Sequence, residues 1–125
     1  GKVERYLIKV RRGESAHHCF LTYDIAEYLK KFTDKIWLYE TTKPDIVFEI
    51  NGRKYAVEVE TGKVYKDKNK LKNKIDNLKK EYGSNWFFAL TNRKHYSKYV
   101  KFGNTYTKKS LLNQLNKLVK NNEKR

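Results

Sequence analysis

The chain has one cysteine, one proline and six glycines, and fewer than half as many acidic as basic residues, 14 against 29 in 125 positions. Cys19 has no partner for an internal disulfide and no Cys-x-x-Cys spacing for zinc, so a disulfide scaffold and a zinc ribbon are excluded. A small buried apolar role is expected for it, in a reducing, cytoplasmic setting rather than a secreted one. With Pro44 the sole proline, no Pro/Gly/Ser linker divides the chain, and no internal repeat is visible. The length suits one domain, 1–125, around one core. No apolar run approaches the roughly 18–20 residues that span a bilayer. The N-terminal stretch alternates charged with apolar residues, unlike a secretion signal. A membrane protein is therefore not expected. A nucleotide cofactor is not expected either: Thr61-Gly62-Lys63 is followed by Val64, and Val57 stands where a phosphate-binding loop needs its first glycine. No Ser-His-Asp or Cys-His arrangement stands out.

What the chain does have is positive charge and aromatic bulk. A net charge of +15 repels itself unless a polyanion is near, which makes nucleic acid the first partner to consider and an anionic membrane surface the rival. Ten Tyr, six Phe and two Trp supply material for a core.

The pattern alternates helix and strand. Val3 to Arg12 reads as a strand or extended arm ended by Gly13. Leu21, Ile25, Tyr28, Leu29 and Phe32 recur at spacings of three and four, which predicts an amphipathic helix with Ser15 as its N-cap. Lys35–Glu40, Asp45–Ile50 and Lys54–Glu60 read as three strands in a meander, the last two joined by Asn51-Gly52, a strong hairpin signal. Leu71, Ile75, Leu78 and Tyr82 form the stripe of a second helix stopped by Gly83, its other faces nearly all lysine. Asn85–Thr91 is a continuous apolar run, suited to a buried strand reached by a helical crossover. Tyr99–Phe102, ahead of Gly103-Asn104, suggests a further short strand or hairpin, and a small amphipathic helix closes the chain by residue 120. The expectation is one mixed α/β layer structure.

Within the most apolar of these strands the sequence places two acids, Glu58 and Glu60, on one face, while Val57 and Val59 mark the other as buried. A tight turn at Asn51-Gly52 pairs residue 50 with about 53, which brings Asp45 beside Glu58 with Glu60 close by. Carboxylates so gathered do not all stay ionised without a cation. A hard divalent ion such as Mg²⁺ takes oxygen ligands of this kind, and lysines around it would attract phosphates that the acids alone repel. Taken singly, each acid reads more readily as an ordinary turn or sheet-surface residue than as a functional one; together the balance changes.

The stretch KPDIVFEINGRKYAVEVETGK, residues 43–63, resembles the PD-(D/E)XK nuclease superfamily: Pro44-Asp45, a hairpin, then Glu58, with twelve residues between Asp45 and Glu58. The resemblance covers about residues 15–91. It implies a restriction-endonuclease-like α-β-β-β-α-β core, a central mixed sheet flanked by helices, with the strand and helix of 99–120 added. It further implies a Mg²⁺- or Mn²⁺-dependent DNA endonuclease leaving 5′-phosphate and 3′-hydroxyl ends, structure-specific or junction-directed. Asp45 and Glu58 would be metal ligands, with the backbone carbonyl of Val59 a third. At position 60 the superfamily usually has lysine, and this chain has Glu60, as some of its restriction enzymes do. A third ligand, a general base and a mark of lost activity are all open for Glu60. Lys63 is placed to supply the missing ammonium. Members of this size often dimerise, so a homodimer is expected. The EVETGK ending, with a histidine early in the first helix, also looks like prokaryotic families tied to plasmid or viral DNA processing.

Further candidates lie around that motif. His18 falls on the apolar stripe of the first helix and His17 does not, so His18 is the one expected to face the sheet, as a phosphate contact or a group orienting water. Glu27 is a second acid on that helix. Lys66, Lys68, Lys70 and Lys74, with Lys72, line the second helix as candidate DNA-backbone contacts, Lys70 and Lys74 sharing a face. Two other classes fit the composition: a nuclease-fold DNA-binding accessory protein of replication, recombination or mobile-element transfer that has lost its chemistry, and a ribosomal-type RNA-binding protein. The second leaves the clustered acids unexplained.

Overall fold

The structure is a computed structural model that describes residues 16–39, 44–63 and 66–123. The strand expected at Val3–Arg12 and the Ser15 cap lie outside the described residues. In chain order the elements are α1 (Ala16–Leu29), β1 (Ile36–Leu38), β2 (Ile46–Ile50), β3 (Arg53–Glu60), α2 (Lys68–Tyr82), β4 (Trp86–Leu90), α3 (Tyr96–Tyr99), β5 (Thr105–Thr107) and α4 (Lys108–Glu123), with a 3₁₀ turn at Arg93–His95 before α3. The five strands form one sheet in the order β1-β2-β3-β4-β5. β1, β2 and β3 are the antiparallel meander, while β3, β4 and β5 run parallel, α2 making the first crossover.

The β2–β3 register follows from the turn. Asn51 and Gly52 both take positive φ (51° and 78°), the conformation a two-residue hairpin needs, and Ile50 then pairs with Arg53 and Ile46 with Val57. One residue of slip would exchange the two faces of β3. In the observed register Tyr55, Val57 and Val59 join α1 and α4 in one apolar layer, with Ile25, Leu29, Leu111 and Leu115. On the other face Ala56 joins Leu71, Ile75 and Leu78 of α2, Trp86, Phe88 and Leu90 of β4, and Tyr99 of α3. The sheet is thus covered on both sides. α2 starts at Asp67, whose side chain accepts from the Lys70 N–H, and stops at Gly83, which has positive φ.

Tyr99–Phe102 is not a strand. Tyr99 ends the one-turn helix α3, Phe102 follows in a turn, and the strand comes later, at Thr105–Thr107. The Asn92 side chain accepts from the Lys94 N–H and begins the helical turn, and Tyr99 and Phe102, three residues apart, reach the α2-side core together. Among the described residues no helix is long and apolar enough to cross a membrane.

Candidate functional site

Extending the β2–β3 register by one pair sets Asp45 opposite Glu58, at the end of the sheet where β3 and β4 present their C-terminal ends. Past Ile46 the backbone ladder stops. The Asp45 side chain continues it: Oδ2 accepts from the Val59 N–H at 2.8 Å. Oδ1 lies 3.2 Å from His18 Nε2, which reaches it from α1. Glu58 and Glu60, on the opposite face of β3 from Val57 and Val59, share one cation. Lys74 Nζ of α2 stands 3.3 Å from Glu58 Oε1 and 3.1 Å from Glu60 Oε2. All three acids are buried, with 8%, 6% and 3% of Asp45, Glu58 and Glu60 exposed. Asp and Glu are seldom this deep unless they are paired.

Their acidities are pushed apart. Burial raises the Glu58 carboxyl, and the Asp45 charge and a hydrogen bond to Asp45 raise it further, so that it sits well above the ordinary range although Lys74 opposes the change. For Asp45 burial acts upward too, but the hydrogen bond and charge of His18, a hydrogen bond from Glu58 and the Val59 N–H outweigh it and hold the carboxyl below its usual value. Where the pair shares a single proton, Glu58 is therefore the member that holds it and Asp45 the member that stays charged. Glu60 is raised by burial, against the pull of Lys74 and of the nearby Tyr99 hydroxyl. Its Oε1 accepts no well-formed hydrogen bond. Lys74 loses solvation, but Glu58 and Glu60 more than offset that and raise it above a free lysine.

The expected residues divide clearly. Asp45, Glu58, Glu60 and His18 are brought together, and His17 is exposed, as its place off the apolar stripe predicted. Val59 meets Asp45 through its N–H. Lys63 is exposed on the turn beyond β3, its N–H bonded to Thr61 Oγ1, and joins none of the ion pairs of the acids. The ammonium beside the acids is that of Lys74, a residue expected on the DNA backbone. Lys66, Lys68 and Lys70 are exposed, as backbone contacts must be. Glu27 accepts from the Tyr23 hydroxyl and pairs with Lys30, apart from the cluster. Two residues went unforeseen: Tyr99, beside Glu60, and His95, whose ring lies over Gly62 in the turn after β3.

Among the described residues no three His, Cys, Asp or Glu side chains converge as a ready-made metal cage. The donor chemistry nevertheless fits a hard divalent cation: three buried carboxyls, two of them adjacent, with Glu60 Oε1 left over. No family model matches the chain, and neither do any curated proteins or solved structures.

Proposed function

We propose that the protein is a divalent-metal-dependent deoxyribonuclease that hydrolyses phosphodiester bonds at the Asp45–Glu58–Glu60 cluster. The observation that carries this reading is the burial of three carboxyls around one lysine at the sheet end of a chain with net charge +15. A fold needs no such group for stability, because buried ion pairs seldom repay their desolvation.

Asp45 and Glu58 would hold Mg²⁺ or Mn²⁺. When bound, such an ion would supply Lewis-acid polarisation of the phosphodiester and a more acidic water. His18 fixes the Asp45 carboxylate through Oδ1, and the Val59 N–H fixes it through Oδ2, so Asp45 arrives ionised and oriented. Glu60, its acidity weakened by burial, is suited to accept the proton of the attacking water. Lys74 takes the role that the sequence offered to Lys63: its ammonium, held beside Glu58 and Glu60, would offset negative charge developing on the scissile phosphate. The exposed Lys66, Lys68 and Lys70 meet the phosphate backbone and are blind to sequence.

A second reading, a DNA-binding module without chemistry, has one observation in its favour: Lys74 already neutralises Glu58 and Glu60 from within. Cleavage separates the two. Labelled single-stranded, duplex and four-way-junction DNA incubated with Mg²⁺, Mn²⁺ or EDTA should be cut only with metal, and Asp45→Ala and Glu58→Ala should each lose at least about 10²-fold in rate. Tight binding without cutting under either metal would leave the accessory module standing.

A further inference from the structure

α2 covers β3 and β4 but stops short of the meander's outer strands. On that side of the sheet a groove of about 1190 Å³ opens between α2 and the β1–β2 edge. Its floor is Trp37 and Val47, on the face of β1 and β2 opposite Ile36, Ile46 and Phe48. Tyr39 and Tyr82 close one side; burial makes the Tyr82 hydroxyl harder to ionise, and the nearby Tyr39 adds to it. Lys54 lies 5.5 Å over the Trp37 ring, and Lys70 and Asn73 stand on the α2 wall. Glu58 and Lys74 also line the groove, so it runs to the carboxylate cluster.

Resting on the nuclease reading, we infer that this groove takes an unpaired DNA strand, laying bases on Trp37, Tyr39 and Tyr82 and leading the strand's phosphates along Lys54 and Lys70 to the acids. The groove is larger than the roughly 300–1,000 Å³ usual for a small ligand, which points to a segment of polymer. A duplex keeps its bases stacked inside and offers a protein mainly phosphates and groove edges, which lysines alone serve. Aromatic rings recessed between lysines serve a strand whose base faces are open. Trp37 is half-buried, exposed enough to be stacked upon and fixed enough to act as a platform. The substrate class is therefore a single strand, or a duplex with a single-stranded end that threads the groove.

Binding in EDTA tests this without calling on the chemistry. A labelled oligothymidylate of about a dozen nucleotides should bind the wild-type protein at least several-fold more tightly than a duplex of the same length, and should quench tryptophan emission, since Trp37 is the accessible indole and Trp86 is buried. Trp37→Ala should weaken single-strand binding roughly tenfold and leave duplex binding within about twofold, and Trp37→Phe should restore most of the loss. Equal affinity for both forms, or a Trp37→Ala variant that is folded by circular dichroism and binds the oligonucleotide as well as wild type, overturns the inference. Neither result bears on the nuclease reading, which stands or falls on metal-dependent cleavage.

Discussion

Removing the Lys74 ammonium leaves Glu58 and Glu60 buried without the charge that now pairs them. Lys74→Met is expected to lower stability by about 2–4 kcal/mol at neutral pH, toward the low side for a buried pair because 26% of the Lys74 side chain is exposed. Urea unfolding measures it, and the loss should shrink as pH falls and both acids take up protons. The sequence contained this contact. Lys74 lies three residues after Leu71 and four before Leu78, on the buried stripe of α2, and only the density of lysine around it made it look like a solvent residue. What no spacing could supply was Tyr99, brought to Glu60 from a distant helical turn. The same residues set a pH dependence. Glu58 and Glu60 bind protons more tightly in the folded chain, so their contribution to stability is full below their ordinary value of 4.5 and is lost as pH rises through their raised values. Asp45 acts oppositely, its contribution present above 3.8 and lost as pH falls through its depressed value. In EDTA, thermal stability from this cluster should therefore decline as pH rises above 4.5, and Glu58→Gln should flatten that decline. An unchanged profile in the variant would remove Glu58 as its source.

The β2–β3 hairpin was the most legible element, because Asn51-Gly52 dictates its turn and the turn dictates the pairing of Asp45 with Glu58. α3 was not legible. Tyr99–Phe102 is aromatic and β-branched enough to read as strand, and four residues are too few for periodicity to decide. The capping of Lys94 by Asn92 and the burial of Tyr99 settle it as helix and turn. The turn after β3 shows the same dependence on distant structure. Gly62 has φ of 92°, and a Cβ there would sit 2.5 Å from His95 Nε2. Gly62→Ala is expected to cost about 1–3 kcal/mol in thermal unfolding, from backbone strain and the clash together. Adding His95→Ala should recover the steric part alone. Full recovery would mean the backbone bears no strain.

Across the whole molecule, charge and shape divide the work. On the proposed reading the +15 surplus would attract DNA at long range, while the buried acids and the aromatic groove would act only after contact. Affinity for single-stranded DNA should fall steeply with salt, log K declining by about 0.7 per phosphate neutralised, and Lys70→Ala should reduce the slope by about one contact. Trp37→Ala should lower affinity at every salt concentration with the slope unchanged, because stacking releases no counterions. The measurement that bears most directly on the central claim is a calorimetric titration of the DNA-free protein with Mn²⁺, repeated on Asp45→Ala and Glu58→Ala. Saturable binding that both substitutions abolish is the predicted result. No binding, or binding that survives both, would mean that Lys74 is the only cation these acids were built to hold.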